Sequence, residues 1–191
     1  MLSEGYPGAF LPNALEHYYM EIRHVEGRED VRGVVRAHGL AWREGYDGIL
    51  PEDALESQPV DPTAEELEPW VDGLAENEEG VLIAVDEGEV QGFVDLRWGD
   101  AETKEFVADD EVELKAIYVH PDCWNEGVGT ALLESGLELL PDSVDTVRLE
   151  VFAANDDARQ FYERRGFEHT DDREIEIGDG SYETSIYTLV L

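Results

Sequence analysis

The chain has almost no lysine, a single cysteine and no long apolar run. Only 13 of its 191 residues are basic, against 47 aspartates and glutamates, and the formal net charge is −34. Such a surface repels polyanions, so we expect no nucleic-acid or membrane partner. A single cysteine, Cys123, excludes an internal disulfide and fits a reducing compartment. Because no basic segment followed by an apolar run opens the chain, and no run is long enough to span a bilayer, we expect a soluble cytoplasmic protein.

The acidic residues are spread between apolar positions along the whole chain and are not gathered in one block. This distribution is typical of the solvated face of a folded protein and not of a disordered acidic tail. Dense carboxylates with only two lysines, Lys104 and Lys115, resemble the surfaces of cytosolic proteins from extreme halophiles, so we expect a halophilic source. A chain of 191 residues that is 42% hydrophobic is long enough for one domain with a full core and short for two.

Apolar spacing and turn residues predict the elements of the first half of the chain. Residues 1–19, which contain two prolines and two glycines, are predicted to form an N-terminal extension, unless the true start is Met20. A helix is predicted from Asp30 to Arg43. A second helix is predicted around Trp70 with Pro69 in its first turn, where a proline is tolerated. Two apolar strands around an Asp-Glu-Gly-Glu turn then predict a β-hairpin.

The second half of the chain predicts a strand, a helix, a strand, a second helix and a final hairpin. The unit from Val112 to Phe152 is a strand-helix-strand crossover, which makes its two strands parallel and right-handed in connection. Asn155 as N-cap and Gly166 at the stop bound the second helix. Together these elements predict an α/β fold of mixed α+β type, a single domain with one mixed sheet and helices on both faces.

One stretch, "PDCWNEGVGTALLESGLELL", places Gly127 and Gly129 at the head of an apolar helix. The first amides of such a helix are unpaired and carry partial positive charge, which favours anions such as phosphates. Glycines also begin helices that bind nothing, so the spacing alone leaves both interpretations open. The stretch lacks the Gly-Lys-Ser/Thr of a nucleotide-triphosphate loop and the third glycine of a dinucleotide fold.

Three segments together resemble the GNAT-type N-acetyltransferases, which use acetyl-coenzyme A. They are the strand "VELKAIYVHP", the turn and helix "WNEGVGTALL" at the place of that family's Gln/Arg-x-x-Gly-x-Gly/Ala motif, and "RLEVFAANDDARQFYERRGF". The last carries the family's characteristic spacing of Asn155, Ala158, Tyr162, Gly166 and Phe167. The resemblance covers residues 20–191 in element order. It implies a GNAT domain with a mostly antiparallel central sheet and a splayed parallel strand pair.

The resemblance also implies where acetyl-coenzyme A binds. Its pyrophosphate would lie on the backbone amides of Glu126, Gly127, Val128, Gly129 and Thr130. Its pantetheine arm would lie beside the strand at Ile117, Tyr118 and Val119, with Asn155 and Tyr162 near the cofactor. Asn155 is equally read as a simple N-cap. The sequence departs from the family at Trp124, which replaces the motif's first Gln or Arg, so binding would depend more on the backbone.

For catalysis, the resemblance implies that Tyr162 protonates the leaving sulfur and that Glu113 is the general base, with Glu111 on the same strand face. The alternative interpretations are that Tyr162 is an ordinary core tyrosine and that Glu113 is a solvated surface glutamate. The backbone N–H of Ile117 or a neighbour would polarise the carbonyl.

The five histidines are scattered without ligand spacing, so we expect no metal. Trp42 and Tyr46 correspond to the family's acceptor region or belong to an ordinary core.

These expectations converge on an enzyme that acetylates a primary amine from acetyl-coenzyme A by direct transfer in a ternary complex. The alternative is a non-catalytic module of the same fold that binds acyl-coenzyme A as a sensor or scaffold. A protein N-terminus, a metabolite amine, an amino acid and an antibiotic all stay open as acceptors. Many relatives dimerise, which admits a homodimer here, although no sequence feature identifies an interface.

Overall fold

The computed structural model describes residues 20–191, and the predicted extension lies outside them. Within these residues, no helix is both long and apolar enough to cross a membrane. The described part holds five α-helices and seven strands in the following order: β1 (Glu21–Arg23), α1 (Arg28–Gly45), α2 (Glu52–Glu56), α3 (Ala64–Ala75), β2 (Val81–Asp86), β3 (Glu89–Arg97), β4 (Val112–Val119), α4 (Val128–Leu137), β5 (Thr146–Phe152), α5 (Asp156–Glu163), β6 (Glu168–Ile177) and β7 (Gly180–Val190).

The strands form one sheet in the order β1-β2-β3-β4-β5-β7-β6. Every neighbouring pair is antiparallel except β4 and β5, which are parallel. The parallel pairing covers only Val112 with Val147 and Glu113 with Arg148, after which the two strands diverge. The structure therefore confirms the predicted mixed, mostly antiparallel sheet with a splayed parallel pair.

Helices cover both faces of the sheet because central strands such as β2 and β3 carry runs of buried apolar residues whose side chains point alternately to both sides. On one face, α4 and α5 pack against a cluster that includes Leu96, Val147 and Leu149, which are at most 1% exposed. On the other face, α1 and α3 cover Ile83 and Phe93. Burial of this apolar surface supplies the main driving force that holds the layers together.

The structure corrects the predicted start of the second helix. That helix, α3, begins at Ala64 because Thr63 and Glu66 form a capping box, each side chain accepting a hydrogen bond from the other residue's backbone N–H. Pro69 therefore lies in the second turn, and its prediction as a first-turn residue is wrong. Proline there removes the bond to the carbonyl of Glu65, but that residue is exposed and water can hydrate the free carbonyl.

A β-bulge interrupts β4 just beyond the last residue paired with β5. Asp95 of β3 pairs with Ala116, whereas the next residue, Leu96, pairs with Leu114, so that Lys115 is the extra residue. A bulge bends its strand and redirects the side chains that follow. No local sequence pattern predicts this bulge. Its position contributes to the parting of β4 from β5.

Candidate functional site

A cavity of about 610 Å³ lies where β4 and β5 diverge, and we call it the splay cleft. β4, the start of α4 and the chain from Ala154 to Arg164 form its walls. Five residues predicted from the sequence line it together: Ile117, Val119, Gly129, Asn155 and Tyr162. The tertiary structure thus brings residues far apart in the chain to one cleft.

The N-terminus of α4 opens towards this cleft. Gly127 is its N-cap with a φ of +91°, a left-handed conformation that glycine adopts at little cost. Ala131 is the first residue whose N–H bonds back, to the Gly127 carbonyl at 3.0 Å. The N–H groups of Val128, Gly129 and Thr130 have no hydrogen-bond partner among residues 20–191. Free amides at a helix start form an anion-binding arrangement.

α5 packs tightly against the start of α4. A Cβ at Gly129 would lie 3.3 Å from the Phe161 ring, so any side chain here would require that ring to shift by a few tenths of an ångström. The Arg165 guanidinium lies over the same ring at 3.6 Å and donates a hydrogen bond to the Thr130 hydroxyl. These side-chain contacts therefore fix the position of the first turn of α4, which carries the free amides.

The remaining predicted cofactor residues have different surroundings. Glu126 is exposed in the turn before α4, whereas the side chain of Val128 is buried in the core. Tyr118 turns its side chain to the opposite face of β4, so only its backbone can meet a ligand in the splay cleft. Trp124 donates its indole N–H to the Val119 carbonyl at 2.7 Å. This hydrogen bond occupies the Val119 carbonyl, which is one of the backbone groups beside the predicted position of the pantetheine arm.

Tyr162 and Asn155 face the cleft from α5. Tyr162 is 9% exposed, and burial raises the pKa of its phenol, which keeps the proton on the oxygen at neutral pH. Its hydroxyl makes no hydrogen bond within the described residues, so the donor is free. Asn155 caps α5, since its Oδ1 accepts from the Ala158 N–H at 3.1 Å. Asn155 therefore both caps α5 and lines the splay cleft.

Glu113 lies outside the lining of the splay cleft, so the structure does not place it beside Tyr162. It occupies the last position at which β4 pairs with β5 and is 2% exposed. Its Oε2 accepts a hydrogen bond from the Lys104 N–H at 2.9 Å. Burial raises the pKa of this carboxyl, an effect that the Lys104 contacts partly oppose. Its neighbour Glu111 forms an ion pair with Arg148 at 2.8 Å.

Several cleft residues were missed in the sequence reasoning. Four carboxylates line the splay cleft together with one cation, Arg164: Glu44, Asp47, Asp156 and Asp157. The two aspartates lie in the first turn of α5, and no local pattern links them to α1. Cys123 also lines the cleft, but burial raises the pKa of its thiol, so it stays protonated and is a poor nucleophile.

A seven-stranded mixed sheet with one splayed parallel pair, beside which a helix presents free amides, is the architecture of the GNAT fold. The sequence pattern of the Acetyltransferase (GNAT) family matches residues 40–167, which is more than half of the chain. The chain therefore belongs to the GNAT acetyltransferase family. Among residues 20–191, no group of three or more His, Cys, Asp or Glu is arranged to hold a metal ion.

Relatives in sequence and in structure agree with this assignment. An uncharacterized N-acetyltransferase of Archaeoglobus fulgidus is 30% identical over 146 residues, which are 75% of this chain and 89% of that protein. The uncharacterized N-acetyltransferase YuaI of Bacillus subtilis is 33% identical over 113 residues, 59% of this chain and 60% of that relative's length.

Among solved structures, the PaiA N-acetyltransferase of Thermoplasma acidophilum in complex with coenzyme A aligns with a TM-score of 0.66 at 22% identity. That alignment covers 87% of this chain and 97% of the other. Ard1 of Thermoplasma volcanium aligns with a TM-score of 0.63 at 22% identity over 90% of this chain and 97% of its own. At this level of identity the two structures share the fold with this protein.

Proposed function

We propose that this protein transfers the acetyl group of acetyl-coenzyme A to a primary amine, directly and within a ternary complex. The observation that carries the proposal is the splay cleft, which joins the free amides of α4 at one end to the buried Tyr162 hydroxyl. The related structure from Thermoplasma acidophilum is described as a complex with coenzyme A, which supports this choice of cosubstrate.

The cleft residues fit this cosubstrate. Phosphates are bound by unpaired helix amides, and three such amides, of Val128, Gly129 and Thr130, are present. The pantetheine arm needs a groove with exposed backbone groups. The edge of β4 beyond Glu113 supplies one, since no strand pairs with it on the side of β5. Arg164 adds a cation to the cleft wall.

Acetyl transfer requires that the amine lose a proton, that negative charge on the carbonyl oxygen be stabilised, and that the sulfur leave as a thiol. The Tyr162 phenol is a suitable donor to the sulfur because it faces the cleft and its raised pKa keeps it protonated. The N–H of Ile117, on the free part of β4, is our choice for the group that polarises the carbonyl.

Glu113 is our choice of general base, acting through a water molecule. Its raised pKa brings it nearer to neutral pH, where a base works best. Because it lines neither the splay cleft nor the cavity on the other side of β4, we expect its carboxylate to act on the amine indirectly. A water in the gap between β4 and β5 would have to connect them.

A non-catalytic acyl-coenzyme A sensor of the same fold is the second candidate. The observation that favours it is the Trp124 indole, which occupies the Val119 carbonyl beside the proposed pantetheine arm. Binding without turnover would suit such a role.

The two candidates differ in whether coenzyme A is released. The purified protein is mixed with acetyl-coenzyme A and a panel of amines, and free thiol is measured together with the acetylated product by mass spectrometry. Calorimetry on the same preparation measures acetyl-coenzyme A binding. Amine-dependent thiol release supports the enzyme. Tight binding with no thiol release across the panel supports the sensor, and absence of binding contradicts both.

A further inference from the structure

A second cavity, of about 390 Å³, lies on the opposite face of β4 from the splay cleft. We call it the aromatic cavity because rings from α1, α3, β3 and β4 form its wall: His38, Trp70, Phe93 and Tyr118. The His38 ring lies 4.9 Å from Trp70 and 4.8 Å from Tyr118, both edge to face. Its volume is in the range of small-molecule sites, about 300 to 1,000 Å³.

Two cationic side chains, Arg97 and Lys115, line the aromatic cavity. Arg97 is neutralised by Asp95, which it contacts at 3.0 Å and which also accepts from the Asn77 amide at 2.7 Å. Lys115, the bulged residue of β4, lines the same cavity and has no carboxylate within 4.0 Å among the residues that the structure describes. In a chain of net charge −34 with two lysines, a lysine beside an apolar cavity that makes no ion pair and only a longer-range interaction with Glu113 favours an anionic ligand group.

A buried polar atom in the wall points to a ligand as well. His38 is 9% exposed, and its Nδ1 has no hydrogen-bond partner within residues 20–191. Burial lowers the pKa of this histidine to about 4, so the ring is neutral at working pH. Buried polar atoms without a partner are rare in folded proteins, because the lost hydration is not replaced. A ligand with a polar group would satisfy this nitrogen.

The aromatic cavity is separated from the acetyl-transfer region by one strand. Ala116 and Tyr118 face the cavity, while Ile117 and Val119 of the same strand face the splay cleft. Pairing with β5 ends at Glu113, and beyond it Tyr46 joins the two strands through its contacts with Tyr118 and Phe152. An amine held in the cavity would have to pass this tyrosine contact to reach the cleft.

We propose that the aromatic cavity holds the acceptor, and that the acceptor is an aromatic amino acid or a similar amine that carries a carboxylate. The carboxylate would lie at Lys115 and the ring among Trp70 and Phe93, with the amine directed to the gap. This inference rests on the proposed function. The transfer forms the N–C bond of the amide and breaks the C–S bond of the thioester, and the proton that the amine loses balances the one that sulfur gains.

Three amines separate the recognition elements. L-Phenylalanine has both ring and carboxylate, phenethylamine has the ring alone, and glycine has the carboxylate alone. We expect kcat/KM for L-phenylalanine to exceed that of either analogue by about tenfold or more, since a charged hydrogen bond and a buried ring each contribute that much. Calorimetry with L-phenylalanine alone measures binding without turnover.

Two variants locate the ligand. Lys115→Gln should weaken L-phenylalanine binding by about tenfold and leave phenethylamine binding unchanged, because only L-phenylalanine has a carboxylate that can pair with the Lys115 ammonium. Arg36→Gln, which removes one positive charge from an exposed position of α1, is the matched control and should change neither. Gly73 lines the cavity, and a Cβ there meets no atom within 4 Å, so Gly73→Leu should fill the cavity without a clash. It should abolish L-phenylalanine binding while acetyl-coenzyme A binding persists.

The outcomes distinguish this inference from the proposed function. If phenethylamine reacts as well as L-phenylalanine, or Gly73→Leu binds L-phenylalanine normally, the inference is overturned and the acetyltransferase proposal stands. If no amine releases coenzyme A but L-phenylalanine binds in a Lys115-dependent way, the proposed function fails and the assignment of the cavity's ligand is supported. If L-phenylalanine neither binds nor reacts, the inference is overturned.

Discussion

The hydroxyl oxygens of Tyr46 and Tyr118 lie 3.2 Å apart, and this contact joins the C-terminal end of α1 to β4. The Tyr46 ring also packs edge to face on Phe152, at 5.0 Å, where β5 ends. One tyrosine therefore touches both strands of the splayed pair. The tyrosine pair lies between the aromatic cavity and the splay cleft. Through its contacts with both strands it can determine how far β4 lies from β5.

This tyrosine pair should make a measurable contribution to stability. We expect a double-mutant cycle of Tyr46→Phe and Tyr118→Phe to give a coupling free energy of about 0.5 to 1.5 kcal/mol, because each single variant leaves one hydroxyl without its partner. Urea unfolding at fixed salt measures the four free energies. Additive effects of the two substitutions would mean that the hydroxyls do not interact in solution.

Gly129→Val should abolish acetyl-coenzyme A binding. A Cβ at this position would lie 3.3 Å from Phe161, so the larger valine side chain must displace that ring or enter the space beside the free amides. Calorimetry measures the affinity and circular dichroism the fold. Gly73→Val, a glycine-to-valine change in α3 on the other face of the sheet, is the matched control and should bind normally. Unchanged affinity of a folded Gly129→Val protein would contradict the assignment of the phosphate site.

Tyr162→Phe should lower kcat by about a hundredfold, which is typical for loss of a general acid, with little change in acetyl-coenzyme A affinity. Phenylalanine keeps the ring that packs on Phe161 and Phe167 and removes only the proton donor. Steady-state kinetics with a good amine and calorimetry with the cosubstrate measure the two effects separately. An unaltered rate would show that Tyr162 is a core residue.

Glu113→Gln tests the general base through the pH profile. A base works when deprotonated, so the wild-type rate should fall as pH decreases through the raised pKa of Glu113. We expect the variant to lose this acidic limb and about a hundredfold in kcat/KM at neutral pH. Profiles of kcat/KM from acid to neutral pH decide the matter. If the acidic limb survives in the variant, Glu113 is not the general base, and its role is to accept the hydrogen bond from the Lys104 N–H.

Affinity for acetyl-coenzyme A should increase with salt. The phosphates approach a cleft lined by four carboxylates, and screening shortens the range of that repulsion from about 30 Å at 0.01 M to about 3 Å at 1 M. Hydrogen bonds from the α4 amides act at contact and persist. Calorimetry from low to molar potassium chloride, with circular dichroism to confirm folding, measures the trend. Steady weakening would show that a cation such as Arg164 dominates binding.

The sequence by itself determined the elements with strong local signals. Gly127 immediately precedes α4 and Asn155 caps α5, because both roles depend only on residues within one turn. The hairpin of β2 and β3 and the crossover from β4 to β5 followed from apolar runs and turn residues. At the start of α3 the prediction was wrong, because the capping box of Thr63 and Glu66 outweighed Pro69.

The tertiary structure decided which of these residues share a site. Pairing of β4 with β5 stops at Glu113, and the bulge at Lys115 determines which side chains of β4 face each cavity. Both depend on hydrogen bonds between strands distant in the chain, which no local pattern encodes. The same contacts turned Tyr118 away from the splay cleft and brought the carboxylates of α1 and α5 to its rim. Residue types and turns are local properties, whereas cavities and their charges arise only from long-range packing.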